Sequence, residues 1–197
     1  MIFVEKDKQP KLSDELQKVI ERSHGDQKNN AAMDDVVRLK HKVIRELTSN
    51  ADVLRALHNH NIESKILNWD NPNGDMYRDI NIFDYMKLPS LKDEVFNYIC
   101  FEVNSTNSYS NDFITINLYF RTVCHVSDMK TDWGIQRHDL LALIIKSMFD
   151  WSKIFGMELH KILDVGKIGE DDFYYREVVY ESTIPNNHFN KLNNYRR

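Results

Sequence analysis

The sequence predicts an α+β fold: a mostly antiparallel β-sheet of about four strands packed on one long hydrophobic helix, with additional helices toward the N-terminus. Three observations lead there. Apolar residues at helical spacing (Val36, Val37, Val43, Ile44 and Leu47) mark the first third of the chain. From about residue 95 the pattern changes to runs rich in β-branched and aromatic residues with period two. Between two pairs of such runs lies the most hydrophobic helical stretch of the chain, which makes a β–β–α–β–β block over about Glu94–Ile184.

The elements follow in order. Leu12, Leu16, Val19 and Ile20 form an apolar helical stripe with Ser13 available as N-cap. Residues 23–30 contain a glycine and no apolar side chain, which is a linker, so this first helix is expected to pack away from its immediate neighbour. Residues 1–31 are therefore assigned to an N-terminal arm, 32–185 to the α+β domain and 186–197 to a polar C-terminal tail that would order against a partner. A second helix is expected over about 32–47, with Arg38, Lys42 and Arg45 opposite its apolar stripe, then a shorter helix capped by Ser49 or Asn50 and carrying Val53, Leu54 and Leu57. Residues 68–75 are dense in turn formers and predict a loop; 77–86 show no clean period and predict a short helix or irregular segment, ended by Pro89.

Strands are expected over 95–103 and 113–126, joined by the polar stretch 104–112. In the second, Ile114, Ile116, Leu118, Phe120 and Cys124 share one face, and Thr115, Asn117, Tyr119, Arg121 and His125 the other, so one face is expected buried and the other wetter or turned to a partner. Gly134 marks the turn before the hydrophobic helix, predicted over Arg137–Phe155 and stopped by Gly156. Its apolar residues exceed a single stripe, so it is expected to pack on two sides. Strands over 158–165 and 173–184, joined by a hairpin at 166–172, complete the block.

Composition narrows the function classes. In 197 residues, 42% hydrophobic and 28% charged content is that of a folded chain, and a net charge of −4 with a pI near 6.1 argues against a dedicated nucleic-acid binder. After Ile2, Phe3 and Val4 the N-terminus turns charged, and no uncharged apolar run approaches the roughly 20 residues of a membrane span, so a soluble protein of a reducing cytoplasm is expected. Cys100 and Cys124 sit in apolar strand-like runs without a CxxC partner and are expected as buried thiols.

Residues arranged for chemistry are few. His58 and His60 stand two apart on a predicted helix and point in different directions, and His138 and His160 lack an HxxxH or HExxH pattern, so solvated or capping roles are expected and no metal site is assigned. The loop from Asp70 to Asp75 fails as a calcium loop, because its third place is Pro72 and its sixth Asp75. Glu170, Asp171 and Asp172 group three carboxylates as a small nuclease would, but at the tip of a hairpin, where acids are solvated. No P-loop, GxGxxG or GxSxG is present, so neither an enzyme nor a cofactor is expected. Two features remain as candidate interface residues. Arg137 and Asp139 open the hydrophobic helix, where Asp139 suits the positive helix end and Arg137 calls for a specific partner, within the chain or on another subunit. Tyr174, Arg176 and Tyr180 belong to a last strand with aromatic residues on both faces, of the kind enriched at interfaces.

The C-terminal half carries a resemblance. Its markers are Tyr98-Ile99-Cys100-Phe101, an Ile/Leu-rich strand closing in Val123-Cys124-His125, Gly134 with Arg137 and Asp139, a helix containing Phe149-Asp150-Trp151-Ser152 and Phe155-Gly156, and the final Tyr/Arg-rich strand. Over about 50–186 this pattern resembles the tail terminator and neck (head-to-tail joining) subunits of tailed bacteriophages of low-GC hosts, and the Asn/Lys-rich composition agrees with such a host. The resemblance implies a structural virion protein of the tail and neck region, assembled in the host cytoplasm. It implies a ring, typically a hexamer, that caps the tail tube and joins it to the head-side connector. Its partners would be its own copies, the tail tube protein and the head-completion or connector protein, with DNA only as passing cargo and no membrane. A head-completion or stopper subunit is the alternative within the same region, and a small carboxylate-dependent nuclease the remote one.

Overall fold

The computed structural model describes residues 33–87, 97–107, 113–169 and 172–185. The arm over 1–31, the tail over 186–197, Glu170 and Asp171 lie outside them. Helix α1 (Met33–Ser49) buries Val43, Ile44 and Leu47 of the stripe its spacing predicts, with Leu39 added, while Val36 is half-buried and Val37 is exposed. Asn50 caps α2 (Ala51–Leu57), its side-chain oxygen accepting from the N–H groups of Asp52 and Val53. A four-residue helix α3 (His60–Glu63) and a 3-10 turn (Gly74–Tyr77) follow, then strand β1 (Ile82–Phe83). Strands β2 (Asn97–Asn107) and β3 (Phe113–His125) lead to helix α4 (Arg137–Phe149), and β4 (His160–Ile168) and β5 (Phe173–Pro185) close the domain.

The strands form one sheet in the order β1-β2-β3-β5-β4, with β1 parallel to β2 and every other pair antiparallel. The α+β class and the mostly antiparallel sheet match the expectation. The count is five instead of about four, because β1 is only two residues long and too short for periodicity to register. The helices pack on one face of the sheet, α1 over β2 and α4 over β3 and β5, while α4 also meets α2, which accounts for its second apolar side. Ile99, Phe101, Ile116, Leu118, Phe120, Cys124, Val178 and Tyr180 supply the sheet's share of this core. A smaller cluster of Phe83, Tyr98, Cys100, Val123 and Phe173 lies on the opposite face.

The long helix is shorter than predicted. It ends at Phe149, six residues before Phe155, because the backbone leaves the helical region at Asp150 (ψ 121°) and turns left-handed at Trp151 (φ 62°). The Trp151 N–H donates to the Leu159 carbonyl (3.1 Å) and the Leu159 N–H to that of Ser152 (2.9 Å), which turns the chain into β4. Ile154 and Phe155 still reach the core from this turn, so the apolar spacing outlasts the helix. Gly134 (φ +72°) makes the turn before α4 as expected.

Candidate functional site

Arg137 is the most completely engaged of the predicted site residues. Its side chain is buried, with Nε donating to the Asp128 carbonyl (2.7 Å), Nη1 to the Ala56 carbonyl (3.1 Å), and Nη2 to both Asp128 Oδ1 and the Lys130 carbonyl (3.2 Å each). One guanidinium thus joins the end of α2, the loop after β3 and the first turn of α4. Asp128 is shared further. His58 Nδ1–H donates to both of its oxygens at 3.0 Å, and the buried Asn97 donates through Nδ2 to its Oδ2 and to the Leu57 carbonyl (3.2 Å). Buried Asn81 donates to the Asn97 carbonyl (2.7 Å) and accepts from Asn59 (2.7 Å).

Asp128, Asn97 and Asn81 line a cavity of about 440 Å³ together with His58, His60 and Lys65. His58 and His60 are not on one helix: His58 ends α2 in a left-handed conformation (φ 54°) and His60 opens α3, so their rings meet edge to face at 4.1 Å. A helical reading sets the rings apart; the left-handed cap brings them together. Asp128, Asn97 and Asn81 escape sequence reasoning. The only signal is an asparagine at the head of a strand-like run, and nothing local says that the residue is buried.

Arg176 is a second hub. Its Nε donates to Asp164 Oδ1 (2.6 Å) and its Nη1 to Asp139 Oδ1 (2.8 Å), while Lys146 holds Asp164 Oδ2 (2.9 Å), so α4, β4 and β5 are tied side chain to side chain. Tyr174 is half-buried beside His138, and Tyr180 is wholly buried against Phe120 and Phe149. Among the described residues neither the Tyr180 hydroxyl nor Asp150 Oδ1 has a partner within hydrogen-bond distance; burial first, and then the nearby Asp150 carboxylate, push the phenol well above its usual range. All five predicted interface residues therefore have surroundings within their own chain, and Tyr174, Arg176 and Tyr180 lie on the helix-covered face of β5. Alternation tells which residues share a face, but not which face the helices cover.

The face away from the helices carries Tyr175, Glu177 and Val179 from β5 beside Tyr119 and Arg121 from β3 and Leu163 from β4. Arg121 donates through Nε and Nη2 to Glu177 Oε1 (3.0 and 2.6 Å), Lys167 donates to Glu177 Oε2 (2.5 Å), and the Arg121 guanidinium lies 4.9 Å from the Tyr175 ring centre. A shallow groove of about 320 Å³ crosses this face between Met86, Glu102, Tyr119 and Leu163.

Two carboxylates in these networks set a pH dependence. Burial alone would raise the pKa of Asp164 and of Glu177. At Asp164 the hydrogen bonds and charges of Arg176 and Lys146 outweigh burial, and at Glu177 those of Lys167 and Arg121 do, so both carboxyls sit below their ordinary values of 3.8 and 4.5. Their stabilisation is complete above the ordinary values and is lost as pH falls through the lower folded ones. Urea midpoints are expected to hold from pH 7 to 5 and to decline below about pH 4.5, with the decline reduced in an Asp164→Asn, Glu177→Gln double variant. An unchanged slope in that variant would refute the assignment.

The chemistry on offer is that of paired charges. Among the described residues no group of three or more His, Cys, Asp or Glu side chains is placed to hold a metal ion. Both cysteines are free and buried, in clusters on opposite faces of the sheet; burial pushes the Cys100 thiol up to about 11 and Cys124 well above its usual range, so both stay protonated thiols at neutral pH. His138 is buried instead of solvated, its Nδ1 against Met129 Sδ (3.0 Å), and burial holds its pKa below the usual value. Residues 50–182, more than half of the chain, match the family model described as YomW, which is phage-derived and Bacillus-prophage-like. No curated protein matches the chain.

Proposed function

The chain belongs to the phage-derived YomW family, and on that premise we propose that it is a structural virion protein, a ring-forming tail terminator that caps the tail tube and joins the tail to the head-side connector. The observation that carries the reading is the build of the domain. Its helices cover one sheet face, internal ion pairs lock the strands to α4, and the outer edge of β4 pairs with no strand among the described residues. A rigid body with an unfilled sheet edge is what an assembly subunit requires. The mild acidity of the chain also suits a ring through which DNA must slide, because few phosphates would be held.

Deleting the gene is expected to leave tails of uncontrolled length that do not join heads, as seen by electron microscopy of lysates. Tails of normal length that fail only at joining would replace this reading with that of a head-completion or stopper protein.

A further inference from the structure

We propose that the outer edge of β4, anchored by Trp151, binds a second copy of this chain, and that the copy presents the outer side of its β2. The inference rests on the ring reading above and names the partner of the ring contact. β4 is the last strand of the sheet and spans nine residues, most of them exposed. Among the described residues no strand pairs with its outer backbone groups, and an unpaired edge of this kind is best satisfied by another extended strand. A bulge between Lys161 and Leu163 and the charges of Lys161 and Lys167 blunt the edge in part. Yet Ile162, Leu163 and Ile168 remain 57%, 43% and 78% exposed.

Trp151 is an independent observation at the same place. It is 67% exposed, holds a left-handed φ of 62°, and its ring stands edge-on to His160 at 5.1 Å, at the head of β4. A bulky residue keeps that conformation at a cost, and its exposure returns little packing within the chain. Tryptophan is the residue most often found at the energetic centre of an interface.

The identity of the partner follows from the sheet. A ring needs a head-to-tail contact between unlike surfaces, and this sheet has unlike edges. β1 pairs only with Ile99 and Cys100, so from Phe101 to Asn107 β2 has no strand on its outer side among the described residues. Three antiparallel steps separate β2 from β4, so the two run in opposite directions. A next copy in the same orientation therefore meets β4 in antiparallel fashion and continues the sheet.

The test uses full chains with single added cysteines, Leu163→Cys, Lys167→Cys and Asn104→Cys, all exposed positions on the same sheet face. Mixing Asn104→Cys with either β4 variant under mild oxidation is expected to give covalent dimers that neither variant gives alone. In parallel, Trp151→Gly is expected to raise the concentration needed for assembly by roughly tenfold or more, read by native mass, while its thermal midpoint stays or rises because glycine accepts the left-handed backbone. A ring without unlike cross-links, self-cross-linking of Leu163→Cys, or a ring unaffected by Trp151→Gly overturns the edge pairing and leaves the ring reading standing. A wild-type chain that stays monomeric even with tail tubes present overturns both.

Discussion

Arg137→Ala is expected to cost about 3–5 kcal/mol of folding stability, the range for removing one partner of a buried, hydrogen-bonded charge pair. The loss is large because the guanidinium serves four acceptors at once: the carbonyls of Ala56, Asp128 and Lys130, and the Asp128 carboxylate. Alanine takes this donor from three buried or half-buried carbonyls and leaves the Asp128 carboxylate with only His58 and Asn97, and water reaches the groups poorly because the Arg137 side chain is only 5% exposed. In a domain of this size the thermal midpoint should fall by about 10 °C. Lysine should recover little, since one ammonium cannot address acceptors that lie around a planar fork. Urea unfolding of the two variants checks this. A loss below about 1 kcal/mol for Arg137→Ala would mean that the network is ornamental and that Arg137 is held for another purpose.

Gly74→Ala is the second large effect, expected at about 3 kcal/mol, at the upper end of what overpacking usually costs. The glycine opens the 3-10 turn with an ordinary backbone, so conformational freedom is not the reason for it. A Cβ built there would stand 2.1 Å from the Thr48 carbonyl oxygen, 2.9 Å from the Thr48 carbonyl carbon and 2.9 Å from Leu54 Cδ1. Backbone atoms at the end of α1 cannot swing aside as a long side chain can, so the turn must lift off α1 and the start of α2. Gly134→Ala is the control. Its Cβ would meet nothing within 4 Å, but its φ is +72°, so only the left-handed penalty of about 1–2 kcal/mol is due. Equal losses at the two positions would show that crowding at Gly74 is relieved by motion.

The two substitutions bear on what a sequence can disclose. Apolar spacing located α1, α2, β3 and β5 closely, because each of these elements buries one regular face and the face writes its period into the chain. It overran α4, since Ile154 and Phe155 enter the core from a turn and apolar need does not distinguish a turn from a helix. It also passed over β1, Asn81 and Asp128, whose places depend on partners 16 or 9 residues away or more.

Arg137 shows the division most clearly. Its charge at the positive end of a helix already called for a specific partner, from local electrostatics alone. That Asp128 and three carbonyls of its own chain surround it was decided by the meeting of α2, the loop after β3 and α4. The same holds for Tyr174, Arg176 and Tyr180. The period of two placed them on one face of β5, and the packing of α4 decided that this face is inside. The sequence by itself determined the α+β class and the in-and-out alternation of the strands, because these follow from neighbours a few residues apart. The tertiary structure alone decided which face the helices cover and which charges were paired, because burial and ion pairing depend on distances across the fold that local spacing does not encode.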